Sequence, residues 1–99
     1  MDNKGAVELM SALAQPTRLR VFLELGRRPE GLPVGELAKL IDTPANTMST
    51  HLSILSRSGA VVASRKGRIV TYAATPEVVS ELASFLSGYK NSSQVKFID

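Results

Sequence analysis

The chain has no cysteine and no tryptophan, and it holds a single histidine. Without a thiol there is no disulfide, no thiolate nucleophile, no thiol redox sensor and no thiolate-ligated metal. One imidazole, His51, is left for any general base. A Ser-His-Asp arrangement would have to draw on Ser49 or a neighbouring serine, and two residues apart on a helix the side chains of Ser49 and His51 leave in different directions. No enzymatic activity is expected. No apolar run approaches the roughly eighteen residues of a membrane span, and MDNKGAVELMSALAQ carries Asp2 and Glu8 where a signal peptide would need an apolar centre. The expectation is a soluble cytoplasmic protein without cofactor or metal. With two Tyr and three Phe, the chain also lacks an aromatic platform on which single-stranded bases would stack.

Acidic residues are missing from one long interval. None occurs between Asp42 and Glu77, a stretch that contains Arg57, Arg65, Lys66 and Arg68, four of the twelve basic residues. The rest of the chain therefore has eight basic against nine acidic residues, and the whole net charge of +3 arises from this interval. Positive charge segregated in this way suits a polyanion-binding face; a chance gap in the acids is the alternative.

What is present is the composition of one small folded domain: 99 residues, 43% of them hydrophobic. A chain of this length buries only about 60–65% of the surface its unfolded form exposes, so its own core is thin. No linker or repeat interrupts residues 6–88, and the domain is assigned to 1–88 with a tail at 89–99. Ala6, Leu9, Met10 and Leu13 follow helical spacing over about 4–14. Pro16 opens a second helix that runs to about 27, where Gly26, Arg27 and Arg28 form a stop. Val34, Leu37, Ala38 and Ile41 mark a short third helix ending near Asp42. Thr43 as N-cap and Pro44 at the first helical position start a fourth, over 44–57. Two helices joined this tightly are a helix-turn-helix candidate. VVASRK and RIVTYAA, rich in β-branched residues and divided at Lys66-Gly67, form a hairpin over 61–74. Thr75-Pro76 leads into a last helix carrying Val78, Val79, Leu82, Phe85 and Leu86, with Gly88 near its end. The fold class is mainly α with a small β-hairpin, in the order α-α-α-α-β-β-α.

The fourth helix is divided by its own periodicity. At 100° per residue Met48, Leu52 and Leu55 share one side, and Asn46, Thr50, Ser53 and Arg57 lie opposite, with Thr47, Ser49 and His51 on the flanks. Ile54 falls on the polar side, where it needs a neighbour or a thymine methyl. Solvated surface helices favour Glu, Lys and Arg, yet this one has none before Arg57. Its Asn, Thr and Ser are weaker helix formers whose short donors and acceptors approach base edges and phosphates closely. A merely exposed helix is the alternative. In the hairpin, Arg65, Lys66 and Arg68 lie at or beside the tip, where a wing meets a phosphate backbone; protection of an exposed strand edge is the competing explanation.

Three blocks, LAQPTRLRVFLEL (13–25), GELAKLIDTPANTMSTHLSILSRSGAVVASRKGR (35–68) and GRIVTY (67–72), resemble the ArsR-type family of winged helix-turn-helix repressors over about residues 6–88. Most specific is Ser49-Thr50-His51-Leu52 with Leu55 and Ser58-Gly59, similar to the family's serine-x-histidine-leucine recognition helix and its glycine stop. The resemblance implies a homodimer, formed through the terminal helices by Ala6, Leu9, Met10, Leu13, Val79, Leu82, Phe85 and Leu86. It would block transcription from a palindromic operator on double-stranded DNA, with its recognition helices about 34 Å apart. Carried over by position, the DNA-binding residues are Asn46, Thr47, Ser49, Thr50, His51 and Ser53, with Arg57 on phosphate, Arg65, Lys66 and Arg68 in the wing, and Thr17 and Arg18 at the backbone. For His51 the alternative is a capped or partly buried imidazole that supports the helix.

The sequence departs from the family where many members sense metal. The stretch Glu36–Leu40 offers no thiolate, and the last helix has Glu77 and Glu81 but no histidine, so these two carboxylates are assigned to the helix N-terminus and no metal site is expected. Gln15 stands where a better capping residue is common, which predicts a slightly weakened second helix. The rival function is a winged-helix protein-protein interaction module whose basic wing meets an acidic partner.

Overall fold

The computed structural model of the chain describes residues 1–90, the last two as backbone. Helix α1 (Asn3–Leu13) begins at Asp2, whose carboxylate accepts the Gly5 N–H. Helix α2 (Pro16–Gly26) has proline in its first turn and Gln15 as N-cap, with Gln15 Oε1 accepting the Arg18 N–H at 2.8 Å. Gln15 thus does the work of a capping residue, contrary to the expected weakness, because its longer side chain folds back over the first turn. At the far end Arg27 and Arg28 pair with Glu24 at 3.6 and 3.5 Å.

One element was not foreseen. Leu32–Pro33 forms a two-residue strand, β1, which pairs antiparallel with Thr71 and Tyr72. Two residues, one of them proline, carry no readable alternation, and the pairing depends on Gly31 instead. Gly31 has φ +78°, and a Cβ there would stand 2.5 Å from the Tyr72 carbonyl oxygen. Only glycine lets the loop reach the sheet.

Helix α3 (Val34–Ile41) stops at Asp42, which takes the left-handed conformation, φ 55° and ψ 54°. The Thr43 N–H reaches back to the Ala38 carbonyl at 2.9 Å, the arrangement that commonly closes a helix. Helix α4 (Ala45–Arg57) starts one residue later than the sequence suggests. Pro44 occupies the N-cap position without a side-chain cap, and Thr43 Oγ1 donates to the Ile41 carbonyl instead. The left-handed residue turns the Thr43 hydroxyl toward the preceding helix.

At the C-terminus of α4, the Ala60 N–H bonds to Leu55 O at 3.0 Å and the Ser58 hydroxyl donates to the same carbonyl at 2.8 Å. Gly59, φ +86°, supplies the reversal that L side chains resist. Strands β2 (Val61–Lys66) and β3 (Ile69–Ala74) follow, with Lys66 opposite Ile69. The turn is therefore Gly67-Arg68, one residue beyond the expected division, and Arg68 belongs to the tip. The sheet order is β1-β3-β2.

Leu9, Val21, Leu25, Leu37, Met48, Leu52 and Leu55 are the largest fully buried side chains. They bring α1 through α4 onto one core, closed at the sheet side by Ala60 and Val61. Helix α5 (Glu77–Lys90) joins this core through buried Val78 and half-buried Leu82. Beyond Leu82, most side chains through Gly88 are exposed. The helix runs two residues past the expected end of the domain, through Tyr89 and Lys90; the remainder of the assigned tail, 91–99, lies outside the described residues. Among the described residues no helix is long and apolar enough to cross a membrane.

Candidate nucleic-acid interface

The two sides of α4 separate as its periodicity requires. Met48, Leu52 and Leu55 are 0% exposed, each contributing roughly 1.5–3 kcal/mol of burial. Asn46, Thr47, Ser49, Thr50, Ser53 and Arg57 are all exposed. Anchoring three consecutive turns fixes the rotation of the helix, so the polar side projects outward as one surface. Asn46 Oδ1 accepts the Thr47 N–H at 2.9 Å, and Thr50 Oγ1 donates to Asn46 O at 3.3 Å. Both leave groups free: the Asn46 amide keeps its two N–H donors and the Thr50 hydroxyl keeps its lone pairs.

Ile54 finds a protein neighbour. It packs against the core and lines a cleft of about 340 Å³ between α1 and α4, together with Val7, Glu8, Ser11 and Ala12. This removes the need for a thymine methyl.

His51 is half-buried on the flank of α4. Its Nδ1 lies 3.4 Å from Nη1 of Arg18, whose Nε donates to the Ala12 carbonyl at 2.7 Å. Burial first, and the Arg18 charge second, hold the His51 pKa below its usual 6.5. Both effects favour the neutral imidazole. Arg18 itself is half-buried and uses its guanidinium to join α1, α2 and α4. Nothing local in the sequence links positions 33 apart. Thr17, beside it, is half-buried as well.

In the wing, Arg65, Lys66 and Arg68 are all exposed, and Arg65 Nε donates across the turn to Gly67 O at 3.2 Å. Chain folding brings an acid close: Glu30 lines the same shallow depression as Lys66, with Pro29, Ser64 and Thr71. An interval without carboxylates in sequence is thus not wholly without them in space.

The expected partner stripe divides. Ala6 and Leu9 are 1% and 0% exposed; they belong to the protomer core and have no surface to offer a second chain. Their helical spacing is the same for an inward stripe as for an interface, which is why the sequence did not separate the two. Met10, Val79 and Leu86 are 40%, 46% and 47% exposed, and Val7, which the sequence reading omitted, is 61% exposed. Leu13, Leu82 and Phe85 are half-buried. No group of three potential ligands that could hold a metal ion occurs among the described residues.

A short turn between α3 and α4, an anchored α4 with a polar outer side, and a basic two-stranded hairpin after it define a winged helix-turn-helix protein. Comparison with protein families matches residues 13–62, half of the chain, to a helix-turn-helix domain. Among solved structures, an ArsR-like transcriptional regulator from Rhodococcus sp. RHA1 superposes with a TM-score of 0.79 at 25% identity, over 86% of this chain and 78% of that one. An ArsR family transcriptional regulator gives 0.79 at 26% identity, over 98% of both chains. The homodimeric winged helix-turn-helix DNA-binding domain of a possible ArsR-family regulator from Mycobacterium bovis gives 0.72 over 97% of this chain and 88% of that one; at 21% identity it speaks to the fold. No curated protein sequence matches. The chain belongs to the helix-turn-helix domain family, and its fold is similar to that of ArsR-type winged-helix transcriptional regulators.

Proposed function

We propose that the protein is a dimeric repressor that places the exposed side of α4 in the major groove of a palindromic operator and lays the β2-β3 hairpin along the adjacent backbone. The observation that carries this reading is the division of α4. Its apolar side is wholly buried while six polar residues, Asn46, Thr47, Ser49, Thr50, Ser53 and Arg57, stand exposed together on a helix whose width suits the groove. Asn46, Thr47, Ser49, Thr50 and Ser53 face base edges or phosphates, His51 contributes from the flank, and Arg57, Thr17, Arg65, Lys66 and Arg68 meet the backbone.

Dimerisation follows from the apolar surface left on the terminal helices. Val7 and Met10 on α1 and Val79 and Leu86 on α5 are exposed, and half-buried Phe85 lines a cleft with Met1 at the start of the chain. The M. bovis domain, of the same fold, is homodimeric, which agrees with a dimer here. A two-fold axis through this surface would set two copies of α4 about 34 Å apart, one turn of duplex.

Binding to duplex DNA measured across salt concentrations tests the reading. A reader of DNA loses affinity with a log-log slope of about 0.9 per phosphate contact and prefers one sequence over others. Absence of measurable binding at low salt to the DNA upstream of its own coding region would sink the proposal in favour of an interaction module for an acidic protein.

A further inference from the structure

We propose that Arg18 is a positioning residue rather than a phosphate contact: it holds the His51 imidazole with Nδ1 turned inward, so that Nε2–H is presented outward as a fixed donor to an acceptor on DNA. The inference rests on the reading of α4 as the recognition helix.

The chemistry of the pair dictates the hydrogen assignment. A guanidinium has five N–H donors and no acceptor. A hydrogen bond between Arg18 Nη1 and His51 Nδ1, 3.4 Å apart, therefore requires the lone pair on Nδ1 and places the ring proton on Nε2. The lowered pKa of His51 agrees, since a second proton on the ring would abolish the acceptor and set two cations side by side. Among the described residues no protein group takes up Nε2–H.

Arg18 is well placed to act as the fixed member. Its backbone N–H is held by Gln15 Oε1 at 2.8 Å and its Nε by the Ala12 carbonyl at 2.7 Å. Ala12 lies in the last turn of α1, where carbonyls lack partners within the helix, so Nε satisfies a group that would otherwise be left bare. The planar guanidinium then has one remaining direction toward α4. Lysine, with a single rotating ammonium, cannot hold both acceptors in this fixed geometry. The contact fixes the ring on the flank of α4 and adds a strut between the α1-α2 pair and the recognition helix.

A double-mutant cycle tests the assignment. Arg18→Met and His51→Ala should each weaken binding to an operator duplex by roughly tenfold or more, as expected for one hydrogen bond to a charged acceptor. The double variant should be no weaker than the worse single by more than about twofold, because Arg18 acts through His51. Arg18→Lys should fall with Arg18→Met. If Arg18→Lys restores binding, or if Arg18→Met flattens the salt slope in the His51→Ala background, Arg18 is a charge on phosphate and the proposal is overturned.

An NMR titration of His51 in the free protein separates this inference from the function it rests on, and thermal unfolding shows that the variants remain folded. The His51 pKa should stay below 6.5 in the wild type and rise in Arg18→Met. A pKa unchanged by Arg18→Met overturns the contact whether or not the protein binds DNA. Failure of the wild type to bind any duplex, with the pKa response intact, would instead refute the DNA reading and the outward role of Nε2–H with it.

Discussion

Removing one wing cation should weaken DNA binding at low salt and flatten the dependence of affinity on salt. Arg65, Lys66 and Arg68 are exposed around the Gly67-Arg68 turn, and neither arginine has a carboxylate partner within ion-pair distance among the described residues. A phosphate contact displaces condensed counterions, and each contact adds about 0.9 to the slope of log K against log salt. In a dimer, Arg68→Ala deletes two contacts, lowering the slope by about 1.8. Between roughly 50 and 200 mM salt the deficit of the variant should then shrink about twelvefold, being large at low salt and small at high salt. Arg65→Ala should behave alike. Lys66→Ala should lower the slope in the same way. Fluorescence anisotropy on a labelled duplex, titrated at four or more salt concentrations, measures these slopes. Parallel lines for Arg68→Ala and wild type would refute the assignment of the hairpin to the phosphate backbone.

Asn46→Ala or Thr50→Ala should cost about 1–3 kcal/mol of discrimination between operator variants if the side chain reads a base; equal losses on every sequence, in competition assays, would mark a backbone contact. Gly31→Ala should destabilise the fold by more than about 1 kcal/mol in denaturant unfolding, because its methyl would collide with the Tyr72 carbonyl and hold a positive φ. The lowered His51 pKa means that the unfolded chain binds a proton before the folded one as pH falls. Its contribution to stability is complete above the ordinary value of 6.5 and is lost as the pH drops through the lowered one. Thermal melts of wild type and His51→Asn compared on either side of that window should converge at the acid end. Val79→Glu combined with Leu86→Glu should shift the protein toward monomer in sedimentation without unfolding it, since both side chains are exposed in one protomer.

The helical frame was legible because each helix carries its own punctuation. Pro16, the Asp42-Thr43-Pro44 turn and Ser58-Gly59 are local signals that act within a few residues, and the division of α4 follows from Met48, Leu52 and Leu55 recurring at helical spacing. What was hidden depends on residues distant in the chain. Strand β1 exists because Gly31 lets the loop approach Tyr72, Glu30 reaches the wing only after folding, and the Arg18-His51 contact joins α2 to α4. The terminal helices show the limit in another way: Ala6 and Leu9 look like Met10 in sequence, and only the packed core tells which face has been used. For the proposed site, residue types pointed to one exposed surface, while the tertiary fold revealed which of them are already engaged.

Competition binding between any inverted repeat found upstream of the coding region and a scrambled duplex of equal length and charge tests most directly that α4 reads sequence. The account predicts a preference of about a thousandfold or more for the repeat, lost when either half-site is scrambled and markedly reduced in Asn46→Ala. Equal affinity for both duplexes, with the salt slope intact, would show a protein that holds the phosphate backbone without reading the bases, and would contradict it.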